Sequence, residues 1–212
     1  AGGWAGFSAT AYFFGRELYK TLNVPIGLIN SSWGGSAAEA WVTRKSLESY
    51  TDLKHMVGQW DQNAIDADAM WKKYIDDLSQ WREKALEREE KGERYEGPPA
   101  APRYDNRNSN HRASALYNAM IAPLVPYAIR GAIWYQGESN AGRAYQYRTL
   151  FPALIQDWRQ QWGLKDMTFL FVQLASFQAS RDGNDTWPEL REAQTMTLSL
   201  PKTGMAVTTD IG

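Results

Sequence analysis

The 212-residue chain carries a formal net charge of −1 and contains no cysteine; its sequence pI is about 6.2. So even a balance gives no basic field to attract nucleic acid or an anionic membrane surface, and without cysteine there are no disulfides, thiolate nucleophiles or Cys-based zinc sites. The length suits one α/β domain over residues 1–212 and falls short of two of ordinary size.

In chain order, residues 9–22 (ATAYFFGRELYKTL) read as a helix, with Ser8 placed to cap it. Residues 25–30 (PIGLIN) form the first of four short, continuously apolar runs. The others are 131–136 (GAIWYQ), 168–174 (TFLFVQL) and 205–209 (MAVTT). Apolar residues that do not alternate indicate strands covered on both faces, hence a parallel sheet. Between the second and third runs, Tyr147, Leu150, Phe151, Leu154, Ile155, Trp158 and Trp162 recur at helical spacing, and residues 190–200 form another helix. Alternating strands and helices predict a three-layer α/β/α sandwich.

Residues 46–105 break this rhythm. They are strongly charged and carry Trp71, Tyr74, Ile75, Leu78, Trp81 and Ala85 at helical intervals, ending in a Gly- and Pro-bearing charged stretch. They read as a helical insertion, serving either as a lid over a site or as a solvated helical pair on the domain edge. No apolar run approaches the roughly 20 residues of a membrane span, and the first residues do not read as a signal peptide.

Ligands of open α/β sheets bind beyond the carboxyl ends of the strands. The first run is followed by Ser31-Ser32-Trp33-Gly34-Gly35-Ser36 and then Ala38-Glu39-Ala40-Trp41. Paired glycines let the backbone approach a ligand and leave an N–H free to donate. The second run is followed by Gln136-Gly137-Glu138-Ser139-Asn140. Two amides, a carboxylate and a hydroxyl at one strand end are costly to bury unless they serve a site. The ten Trp and eleven Tyr suit either an ordinary aromatic core or the platforms of a sugar cleft.

SSWGGSAAEAW, together with ALYNAMIAPLVPYAIRGAIWYQGESN, resembles the sialate O-acetylesterase and acetylxylan esterase family of SGNH serine hydrolases, a flavodoxin-like fold. The resemblance covers nearly all the chain, and WYQGESN is its most specific part. It implies removal of acetyl groups from sugar hydroxyls through a serine acyl-enzyme, without metal or organic cofactor. It assigns an oxyanion donor to Gly35, with Gly34 beside it. Gln136 and Asn140 are alternative third-block donors, because the usual Gly-x-Asn-Asp block of the superfamily aligns with QGESN in more than one way. The resemblance also implies that Glu138 is the carboxylate that supports the catalytic histidine. Trp33, Ser36 and Arg191 are expected to line the substrate site, with Gln194 tying its helix to the wall.

Two family motifs have no match in these residues: the Gly-Gln-Ser-Asn block that carries the nucleophile, and the late Asp-x-x-His. Ser8, Ser31, Ser32, Ser36 and Ser139 lie in no nucleophile elbow; His55 and His111 do not occupy the base's position, and Asp210 falls earlier than the family's catalytic Asp. The chain is thus expected to be part of an O-acetylesterase whose serine and histidine come from a complementing segment of the same protein. The alternative is a non-catalytic carbohydrate-binding remnant. Glycan substrates imply a secreted or periplasmic location.

Overall fold

A computed structural model describes residues 6–102, 109–177 and 186–210. Its centre is a parallel sheet in the order β1-β2-β3, formed by Gly131–Trp134, Thr168–Val172 and Thr203–Ala206. Gly131 aligns with Thr168, and Phe169 with Thr203. A Cβ at Gly131 would lie 2.5 Å from the Thr168 carbonyl oxygen. Glycine is what lets the two strands begin side by side.

One face of the sheet is packed by α4 (Ala144–Trp162) and α5 (Trp187–Met196). Alternate residues of a strand point to opposite faces, and Phe169 and Phe171 take the α4 side. Phe151 of α4 meets both rings, at centroid distances of 6.0 and 5.0 Å, and Trp158 meets Phe169 at 5.9 Å. Trp134 joins this cluster through Trp41, Phe151, Trp158 and Phe169. The helical period read from Tyr147 onward is therefore the stripe that seals this core: Tyr147, Leu150, Phe151, Leu154 and Ile155 are fully buried.

The other face is covered differently. Ile133, Leu170, Val172 and Gly204 look across a cleft at α1 (Ala9–Leu22), whose Ala11 and Phe14 form the opposite wall. The Ser8 hydroxyl accepts from Ala11 N and caps α1, while Asn23 closes it in the left-handed conformation. Helices, sheet and helix make the three-layer α/β/α architecture expected of the sequence.

Two expectations are modified. Residues 25–30 enter no strand ladder. They run along the cleft, where Ile29 and Asn30 form part of the wall, and a continuously apolar run becomes a strand only where a neighbour offers its backbone groups. The charged insertion also starts later than residue 46 and is not a helical pair. Helix α2 (Arg44–Ser49) belongs to the core: Leu47 and Leu53 are fully buried, and Asp157 of α4 accepts from Thr43 N and Thr43 Oγ1 at the start of α2. The excursion is then a single helix, α3 (Lys54–Glu90), of 37 residues and about 55 Å length at 1.5 Å per residue. The returning chain lies against it, with Trp81 Nε1 donating to Glu96 O and Arg88 seated over the Tyr95 ring.

Candidate active site

The loops after residues 25–30 and after β1 meet at the carboxyl end of the sheet. Ser139 Oγ donates to Gly35 O at 2.9 Å, and Gln136 Nε2 donates to Ser36 O at 3.1 Å. Together they border a cleft of about 910 Å³, lined also by α1 and by the open face of all three strands. A volume of this size falls within the range of small-ligand sites.

Trp33, Gly34, Gly35, Ser36, Gln136 and Glu138 all line this cleft. Gly35 has φ +71°, a conformation that disfavours any side chain, although a Cβ there would meet nothing within 4 Å. Here glycine is required by the backbone and not by space. Trp33 is 55% exposed at the rim. Ser36 donates to Trp33 O and accepts from Trp41 Nε1, so its hydroxyl holds the turn. Glu138 is exposed and carries no hydrogen bond or ion pair among the described residues. Arg191 lies on α5 outside the lining; its carbonyl accepts from Gln173 Nε2 and Thr195 Oγ1.

Asn140 sits behind the wall, 1% exposed, at the centre of a polar network. Its Oδ1 accepts from Ala38 N at 2.9 Å and from Gln136 Nε2 at 2.7 Å, and its Nδ2 donates to Glu39 Oε2 at 2.9 Å. Arg143 donates to the other oxygen of Glu39 at 2.6 Å. Tyr147 donates to Gln136 Oε1 at 3.0 Å. Gln194 completes the frame, donating to Gln136 O and accepting from Leu174 N. Burial raises the pKa of Tyr147 strongly, and the nearby Glu138 and Glu39 charges act in the same direction, so its hydroxyl remains a donor.

Counting hydrogens separates the two amides. Gln136 Nε2 spends both of its hydrogens, one on Ser36 O and one on Asn140 Oδ1, which leaves none for a ligand. Asn140 Nδ2 spends one of two, on Glu39. Glu39 is the residue that sequence reasoning passed over. It is 3% exposed and bridges both blocks; its only signal was a lone carboxylate in the otherwise apolar run Ala37-Ala38-Glu39-Ala40-Trp41.

His55 and His111 are remote from this cleft. His55 faces Gln146 Nε2 on the outside of α3, and neither ring lines the cavity. Among the described residues no group of three or more His, Asp or Glu could hold a metal ion. None of the helices is long and apolar enough to cross a membrane.

Residues 104–212 match the family model described as carbohydrate esterase, sialic acid-specific acetylesterase. The sialate O-acetylesterases of Mus musculus and Homo sapiens are each 34% identical to the chain, covering 99% and 96% of it. The chain spans 38% and 33% of their lengths, respectively. In three dimensions, 97% of the chain superposes on 35% of a carbohydrate acetylesterase from Xanthomonas citri, with a TM-score of 0.67 and 37% identity. With the family model covering over half of its residues, and these relatives agreeing over nearly all of them, the chain belongs to the sialic acid-specific acetylesterase family of carbohydrate esterases.

Proposed function

We propose that the protein removes acetyl groups from sugar hydroxyls, of the sialic acid or xylan type, through a serine acyl-enzyme. The observation that carries this reading is the convergence of the Gly35 turn and the Gln136–Asn140 loop on one cleft at the carboxyl end of the sheet. In the proposed mechanism the ester carbonyl lies against the Gly35 turn. As a serine oxygen attacks, the carbonyl oxygen gains negative charge, and the Gly35 N–H donates to it, while Asn140, enclosed behind the wall, holds the Ala38 end of that turn in place. Such a donor contributes about 10²–10³ to the rate. Gln136, with both amide hydrogens committed, acts by positioning Asn140. Glu138, unpaired at the cleft mouth, orients the histidine that takes the serine proton and later returns it to the departing sugar oxygen. Water then attacks the acyl-enzyme and releases acetate.

The serine and the histidine belong, in this reading, to a complementing segment of the protein outside residues 1–212. What supports it is the state of the sheet: β1 pairs only with β2 among the described residues, while residues 25–30 join no ladder and reach the same cleft through Ile29 and Asn30. An exposed parallel strand edge is unfavourable unless something covers it, and a strand laid between β1 and residues 25–30 would also fill the open face. The protein would act on secreted or periplasmic glycans. The deciding experiment is aryl acetate hydrolysis by the whole protein. Turnover with acylation of a serine sustains the reading; sugar binding without turnover would instead identify a carbohydrate-binding remnant.

A further inference from the structure

A second cavity of about 650 Å³ lies between the start of α3 and residues 109–119, and Trp33 lines both it and the main cleft. Trp60 of α3 and Trp33 supply flat apolar walls; Asn110, Arg112, Ser114 and Asn118 supply polar groups. Ser114 is the informative member. It is 5% exposed, its hydroxyl is buried without a partner among the described residues, and it holds φ +64°, which serine seldom adopts. The conformation is fixed by Ser114 N donating to Glu39 O, so the turn is tied to the network behind the main cleft. The amides of Asn110 and Asn118 likewise make no hydrogen bond among the described residues. An unsatisfied buried hydroxyl is costly, and a ligand hydroxyl would remove that cost.

The charges of this cavity favour a neutral ligand. Arg44 donates to both Asp61 and Glu48, its hydrogen bonds hold the Asp61 carboxyl below the usual range, and the Arg112 charge acts on Asp61 in the same direction, so two cations are balanced by two carboxylates. Aromatic walls for an apolar ring face, with amides and hydroxyls around the edge for adjacent hydroxyls, match a pyranose.

We propose that this cavity is a glycan subsite, holding the neutral sugar linked to the acetylated one, with Trp33 as the wall between the two units. The inference rests on the acetylesterase reading of the main cleft. It makes the substrate an oligosaccharide and not a free monosaccharide. The test is calorimetric titration of the whole protein with the methyl α-glycoside of N-acetylneuraminic acid and with 3′-sialyllactose, which adds two neutral hexoses. The trisaccharide is expected to bind at least about tenfold more tightly. Trp60→Ala and Asn118→Ala, both outside the core and checked for unchanged melting, should erase that gain while leaving the methyl glycoside's affinity in place. Equal affinities in the wild-type protein overturn the subsite, as does a gain that survives both substitutions. Ser114→Ala should weaken the trisaccharide and not the methyl glycoside; unchanged trisaccharide affinity would mean that water satisfies the hydroxyl and would overturn its contact with the neutral sugar. If neither sugar binds while aryl acetate is still hydrolysed, the subsite falls and the esterase stands. If aryl acetate is not hydrolysed, it is the esterase reading that has failed.

Discussion

Replacing Asn140 tests the network that joins the two loops of the cleft. In Asn140→Ala the Ala38 N–H and one Gln136 N–H lose their acceptor, and Glu39 Oε2 loses a donor, all in a region closed to water. An orphaned buried polar group costs about 1–3 kcal/mol, and more when charged. Arg143 remains on the second oxygen of Glu39, which limits the charged contribution. The sum is about 3–5 kcal/mol, a large share of the roughly 5–15 kcal/mol that holds a domain together. With an m value of about 1–3 kcal/mol/M, urea denaturation followed by Trp fluorescence should show a midpoint lowered by more than about 1 M. Asn140→Asp sharpens the test. It keeps an acceptor for Ala38 N and Gln136 Nε2 but sets a second carboxylate beside Glu39. Two buried carboxylates share a proton, so the pair's folded pKa lies above its unfolded value. The folded state then binds a proton that the unfolded chain releases, and stability is greatest below the unfolded pKa and lost as pH rises through the folded one. The variant should therefore be strongly destabilised at pH 7 and approach the wild type as the pH falls toward about 5. A loss below about 1 kcal/mol in the alanine variant, with no pH-dependent recovery in the aspartate variant, would refute the network as described.

Further outcomes follow from the same geometry. Gly35→Ala should cost about 1–2 kcal/mol through its positive φ alone, since its Cβ meets nothing; a larger loss of kcat than of stability would place the turn at the reacting ester. Gly137→Ala should be worse, because its Cβ would lie 2.6 Å from Leu190 Cδ2 and 3.1 Å from Leu174 in the packed core; thermal melting measures it. Tyr147 stays protonated in the fold beyond the pH at which an unfolded tyrosine ionises, about 10, so stability falls as pH rises above that value, and Tyr147→Phe should flatten the fall. Residues 1–212 alone should hydrolyse no aryl acetate, whereas robust activity abolished by His111→Ala would show that the base lies within this chain.

The sequence predicted the elements that are defined by their own composition. The helix at 9–22, the stripe from Tyr147 to Trp162 and the apolar cores of all three strands are visible because burial on one or both faces writes its period into the residues. The apolar character of residues 25–30 was legible for the same reason, but their absence from the ladder was not, since pairing depends on a neighbour and not on the segment. The insertion was misjudged at its start because Leu47, Leu53, Met56 and Val57 are embedded among charged residues and show no local mark of the core they enter. At the site, motif matching identified residues that border the cleft but could not distinguish exposed from committed groups. Gln136 and Asn140 look equivalent in sequence; only the count of hydrogen bonds shows that one amide has a hydrogen left.

The two faces of the sheet divide the work of the molecule. On the α4 and α5 side, Phe151, Trp134, Trp158, Phe169 and Phe171 interlock, and deleting any one large ring from such a core costs about 3–5 kcal/mol. On the α1 side the strands present Ile133, Leu170 and Val172 to open space. The Glu39–Asn140–Gln136–Gln194 chain of hydrogen bonds is what transmits the rigidity of the first face to the second. Gln194 rises from α5, Tyr147 from α4, and both grip Gln136, so the loop at the cleft is held from beneath by the helices that form the core. An oxyanion donor is effective only if it is already in place when charge develops. In the proposed mechanism, anchoring the cleft loops to the most densely packed part of the fold, while leaving the opposite face accessible, would meet that requirement within a single layer of the sheet.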